Sequence, residues 1–140
     1  MNVSDLPDDS DLLFVYGTLR QSGHDALHPK AQFLQGQSTY IGKGLVRGKL
    51  YRIDYYPALA LDDKEDHVIG DIVRMHDPDS VFPELDAFEE YGPDFAKPWE
   101  FRRVILPVET DGVSLAAWAY AYNWPVVGLP LIKSGDWLKG

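Results

Sequence analysis

Hydrophobic positions in this chain come in short runs broken by glycine, proline and acidic clusters. Leu12-Leu13-Phe14-Val15-Tyr16 contains no polar residue and stops at Gly17. Such a run predicts a strand over 12–16 buried on both faces, hence central in its sheet. Between Ser38 and Ile53, apolar residues are interspersed with Gly42, Gly44 and Gly48 without clean alternation. Glycines inside strands mark bulges, bends or close backbone approach, so this stretch reads as curved sheet. Tyr55 to Leu61 reads as a turn entering a short strand, and His67 to Met75 as another. Phe101 to Glu109, the turn signal Thr110-Asp111-Gly112, and Ser114 to Asn123 read as a hairpin. In its second arm Trp118, Tyr120 and Tyr122 alternate with Ala117, Ala119 and Ala121. Period two puts the aromatics on one face and the small residues on the other.

Helical periodicity is clearest over 77–92. Val81, Leu85 and Phe88 share one face, Ser80 is the expected N-cap with Pro83 in the first turn, and Gly92-Pro93 ends the helix. A short irregular helix is expected at about residues 30–35, near Pro29. The tail from Pro125 is irregular, with 132–138 docking as an edge piece through Trp137. Six or seven strands adjacent along the chain, with two helices, define an α+β protein with a mostly antiparallel or mixed sheet.

The chain has 140 residues, enough for one domain with a core. Residues 1–11 carry Asp5, Asp8, Asp9 and Asp11 with no basic residue. They read as a loose acidic leader before a single domain over 12–140. The formal net charge of −9 opposes binding to nucleic acid or to an anionic membrane. Without cysteine there is no disulfide and no thiolate nucleophile. That composition, with no signal peptide and no apolar run of membrane-spanning length, points to the cytoplasm. The acidic tip at residues 62–66 lacks the glycine and spaced oxygens of a calcium loop and reads as a solvated turn. His24 and His28 are four apart, but no Glu follows His24 as in a zincin, so no metal site is assigned. No nucleophile elbow, phosphate-binding loop or dinucleotide fingerprint occurs.

Two stretches carry candidate chemistry. Beyond Gly17, Thr18, Leu19 and Arg20 present successive backbone N–H groups, which can form an anion-binding nest or an ordinary turn. On the helix, Glu89 falls inside the apolar arc of about 120° set by Val81, Phe82, Leu85 and Phe88, whereas Asp86 and Glu90 fall outside it. A carboxyl turned towards the core has a raised pKa and suits proton transfer near neutrality. Alternatively, it snorkels out or pairs with Arg102 or Arg103.

Phe14-Val15-Tyr16-Gly17-Thr18-Leu19-Arg20 resembles the opening motif of the γ-glutamylcyclotransferase-like, or AIG2-like, family. Leu85-Asp86-Ala87-Phe88-Glu89, followed by Phe101-Arg102-Arg103, is similar to that family's second motif. With the Ser134-Gly135-Asp136-Trp137 tail, the similarity spans about residues 12–138. The resemblance implies a small mixed β-barrel with flanking helices and a cavity beside the first strand. It implies that Tyr16, Gly17, Thr18 and Leu19 bind the carboxylate of a γ-glutamyl group and that Glu89 is the general acid/base. The implied reaction is cyclisation to 5-oxoproline with release of an amine or amino acid, without cofactor or metal. The alternative is a non-catalytic module that binds a small metabolite in the same pocket. Phe101 stands where members of this family often carry Tyr, and Tyr91, Tyr120 or Tyr122 are candidates to supply the missing phenol. Neither the leaving group nor the oligomeric state is set by the sequence.

Overall fold

The computed structural model describes residues 9–20, 28–54, 56–62 and 66–139. Among them, the order is β1 (Leu12–Val15), α1 (Pro29–Gly36), β2 (Ser38–Ile53), β3 (Tyr56–Leu61), β4 (His67–Met75), α2 (Pro78–Phe88), β5 (Phe101–Thr110), β6 (Val113–Tyr122) and β7 (Leu131–Ile132). Strands β2, β4, β1, β6 and β5 form a closed barrel, completed where Leu45 of β2 meets Glu109 of β5. Among the described residues only the β1–β6 contact, Leu13 opposite Trp118, is parallel, so the sheet is mixed. As its apolar run predicts, β1 is central, between β4 and β6, and all four of its residues are buried.

The glycine-rich stretch becomes one long strand that changes partners. Its first part pairs with β4 as far as Arg47 opposite His67, with a register shift between Tyr40 and Gly42. From Gly48 onward it pairs with β3. A Cβ on Gly44 would lie 2.5 Å from Val108 Cγ1, so the close approach expected of these glycines occurs across the barrel interior. β3 is an edge strand, and that is where Pro57, lacking an N–H, is tolerated.

Alternation along β1 and β6 divides the core in two. Phe14, Tyr16, Val46, Ile72, Val108, Ala117 and Ala119 fill the barrel. Leu13, Val15, Leu34, Val81, Leu85 and Tyr120 pack between its wall and the helices. The small face of β6 therefore turns inward and its aromatic face lies beneath α2. Trp137 joins the barrel core, and the two-residue β7 supplies the edge pairing against β2.

Three features of α2 differ from the pattern read off the sequence. Asp77, not Ser80, is the N-cap, with Pro78 at the first helical position, and the Ser80 hydroxyl donates to the Asp77 carboxylate at 2.7 Å. Pro83 consequently lies in the second turn, inside the helix. Phe88 is not core; it is 36% exposed, edge-on to His28. The acidic leader falls outside the described residues over 1–8. The Ser10 hydroxyl donates to the Ala116 carbonyl at 2.7 Å, and the Met75 N–H to the Asp11 carbonyl at 2.8 Å. His24 and residues 63–65 of the acidic tip also lie outside the described residues. His28 caps α1, its Nδ1 accepting the Lys30 N–H at 3.1 Å. Among the described residues, no helix is long and apolar enough to cross a membrane.

Candidate active site

The segment leaving β1 folds into a tight turn closed by the Arg20 N–H donating to the Gly17 carbonyl at 3.0 Å. That bond removes Arg20 from the three N–H groups expected to face an anion. The Thr18 and Leu19 N–H groups carry no hydrogen bond among the described residues. Gly17 does not adopt a left-handed conformation. It is needed because a Cβ there would lie 2.5 Å from Pro57 Cγ, so β3 crosses directly over the turn. The Tyr16 ring sits in the barrel core, its hydroxyl donating to the Tyr120 carbonyl at 2.5 Å. Burial, reinforced by the nearby Glu89 carboxylate, pushes the Tyr16 phenol far above its ordinary range.

Arg20 anchors the turn from beneath. Its guanidinium is 1% exposed and lies 2.9 Å from Asp136 Oδ1 and 3.4 Å from Asp71 Oδ1. Asp136 Oδ1 also accepts the Leu138 N–H at 2.9 Å. From the sequence, only the backbone of Arg20 carries a candidate role. A buried cation requires carboxylate partners, but nothing in local spacing names residues 71 and 136 as those partners.

Glu89 is the C-cap of α2. The Glu90 N–H donates to the Ala87 carbonyl at 3.2 Å and the Tyr91 N–H to the Asp86 carbonyl at 2.9 Å, which together form a Schellman motif. Glu90, with φ +54°, holds the left-handed position that glycine usually takes. Asp86, outside the apolar arc of the helix, is nonetheless half-buried. It accepts the Tyr120 hydroxyl at 2.7 Å and lies 3.2 Å from Arg103 Nε. Arg103 is thereby committed to Asp86 and to stacking on Phe82, its guanidinium carbon 3.8 Å from the ring centroid. Glu89 does not pair with Arg102 or Arg103, and its carboxyl makes no hydrogen bond or ion pair among the described residues. Desolvation, followed by the charge of Glu100, pushes the Glu89 carboxyl up to about 8.

These groups share one cavity of about 620 Å³, lined by Tyr16, Gly17, Thr18, Leu19 and Glu89, together with His28, Tyr56, Glu90, Glu100 and Phe101. The size suits a small metabolite. Glu100 and Tyr56 were not anticipated. The Tyr56 hydroxyl donates to Glu100 Oε2 at 2.7 Å, and burial, followed by that bond, raises the Tyr56 phenol above its ordinary range. Of the three phenols named as substitutes at Phe101, Tyr120 lines the cavity but is committed to Asp86, Tyr91 stacks on Trp99, and Tyr122 lies edge-on to Phe101 with ring centroids 5.5 Å apart, outside the cavity lining. Of the cavity's tyrosines, Tyr56 has its ring against Phe101, with centroids 6.1 Å apart. The only local signal for Glu100 is its place immediately before the aromatic-x-Arg strand start. Among the described residues no lysine or arginine lines the cavity. Nor does any group of three or more His, Cys, Asp or Glu stand ready to hold a metal ion among them.

A small closed barrel thus brings to one cavity a carboxyl and a turn of N–H groups that have no hydrogen-bond partner among the described residues. The family model described as gamma-glutamyl cyclotransferase, AIG2-like, matches residues 13–139. The gamma-glutamylcyclotransferase family protein YtfP of Escherichia coli (strain K12) is 32% identical over 127 residues, 90% of this chain and 95% of that protein. The solution structure of E. coli ytfP superposes with a TM-score of 0.57 at 29% identity, covering 91% of this chain and 96% of that one. An AIG2-like protein from Mus musculus shares the fold, with a TM-score of 0.64 at 22% identity over 88% of this chain and 86% of that one. The chain belongs to the γ-glutamyl cyclotransferase, AIG2-like family.

Proposed function

We propose that the protein cyclises a γ-glutamyl amine or amino acid to 5-oxoproline, with Glu89 as general acid/base. The observation that carries this reading is the Glu89 carboxyl, without a partner among the described residues, on the same cavity as the Thr18 and Leu19 N–H groups. Those two N–H groups bind the substrate α-carboxylate, and the ionised Glu89 faces the α-ammonium. Glu89 takes a proton from that ammonium, and the freed amine attacks the γ-carbonyl carbon. The bond from that carbon to the departing nitrogen then breaks. Both protons lost by the attacking nitrogen end on the departing one, relayed by Glu89. Because the nucleophile belongs to the substrate, the protein supplies chiefly a folded substrate and a proton shuttle. Proximity is worth up to ~7–11 kcal/mol in favourable cases, and acid/base assistance about 10²–10⁴-fold.

The test is incubation with γ-glutamyl amines and γ-glutamyl amino acids, assayed for 5-oxoproline. We expect release by the wild type and a loss of about 10²-fold or more in Glu89→Gln with unchanged circular dichroism. Binding without turnover by the wild type would overturn the enzymatic reading in favour of a binding module.

A further inference from the structure

The proposed cyclisation uses one carboxylate, and the cavity holds more. Glu89 answers the α-ammonium and the turn answers the α-carboxylate, which leaves Glu100 without a task. Its place is fixed from several directions. The Glu100 carbonyl accepts the Asn123 N–H at 2.7 Å. The preceding Trp99 is held by its indole N–H on the Gly92 carbonyl at 3.0 Å and by Asn123 Nδ2 on its own carbonyl at 3.0 Å. Among the described residues, the side chain is held by Tyr56 through Oε2 alone. A carboxylate accepts several hydrogen bonds, so Oε1 and part of Oε2 remain available to a donor in the cavity.

Charge complementarity identifies that donor. A departing amino acid would bring its own carboxylate into a cavity with Glu90 and Glu100 on its wall and no lysine or arginine among the described lining residues. Like charges in a partly dehydrated site repel far more than in water. A departing amine with a second positive charge would meet Glu100 as a charge-assisted hydrogen bond. We propose that Glu100, held by Tyr56, is the specificity-determining residue for the departing group, and that this group is a diamine or polyamine whose second ammonium Glu100 binds. The proposal rests on the cyclisation reading for the placement of the glutamyl end.

The probes are mono-γ-glutamyl-1,4-diaminobutane, its uncharged isostere γ-glutamyl-n-pentylamine, and a γ-glutamyl amino acid of similar length. Binding is measured by calorimetry on Glu89→Gln protein, and turnover by 5-oxoproline release from the wild type. We expect the diamine probe to bind at least about tenfold more tightly than the alkylamine, and the amino acid probe most weakly. In Glu89→Gln/Glu100→Gln the diamine preference should fall to near one, and in Glu89→Gln/Tyr56→Phe to an intermediate value, with thermal melts reporting folding. Equal binding of diamine and alkylamine, or a preference that survives loss of Glu100, overturns the assignment whether or not turnover is seen. A preference that depends on Glu100, with no 5-oxoproline from any probe, overturns the cyclisation and leaves the charge recognition standing. No binding of any probe overturns both.

Discussion

A carboxyl that faces a cavity without a partner holds its proton to higher pH than one in water, and Glu89 does so up to about 8. As the proposed base it must be ionised in the free protein. kcat/KM should therefore rise about tenfold per pH unit below about 8 and level off above it. A bound substrate ammonium favours the carboxylate, so the kcat profile should bend at lower pH. The same proton has a consequence for stability. The unfolded chain releases it near 4.5, the folded protein near 8, so this residue's contribution falls as pH rises through that window. Glu89→Gln escapes the loss, and its advantage over wild type should grow by about 1–3 kcal/mol from pH 5 to pH 8.5 in denaturant titrations. The inward direction of Glu89 was readable because the apolar stripe of α2 sets a face. Glu100 was not readable, because it sits in a loop where no period applies.

At the level of elements, α2 ends by a device its sequence conceals. Gly92-Pro93 is the conventional stop signal, yet the left-handed residue is Glu90. An L-residue there costs about 1 kcal/mol relative to glycine. Glu90→Gly should therefore raise unfolding free energy by roughly that amount in urea titrations. The N-terminal end misleads in the same way: Ser80 has the chemistry of a cap, but Pro78 sets the first helical residue and assigns the cap to Asp77. The turn after β1 is more constrained than its composition suggests. Gly17→Ala puts a methyl against Pro57 and should shift β3 away from the cavity, destabilising by about 1–3 kcal/mol and weakening substrate binding.

At the level of the whole molecule, strands and helices were legible from period and punctuation, whereas barrel closure was not. Period two says which residues share a face and nothing about which strand lies beside which. The resemblance to a known family supplied the barrel, through motifs whose spacing no local rule explains. The ion triad of Arg20, Asp71 and Asp136 joins three distant parts of the chain. Removing one member leaves buried charge uncompensated, so Arg20→Ala should cost about 3–5 kcal/mol by thermal or chemical unfolding. Gly135, at φ +69° with its Cβ position 2.1 Å from the His67 carbonyl oxygen, admits no side chain. Gly135→Ala should lower stability comparably by displacing Asp136.

That triad also bears on how the protein comes to exist in a cell. A ribosome delivers Arg20 and Asp71 long before Asp136, and through that interval the nascent barrel lacks the carboxylate at 2.9 Å from the guanidinium. A message interrupted before codon 136 would thus yield a chain with an underneutralised cation beneath the turn after β1, a species for quality-control proteases in place of a slightly shortened folded protein.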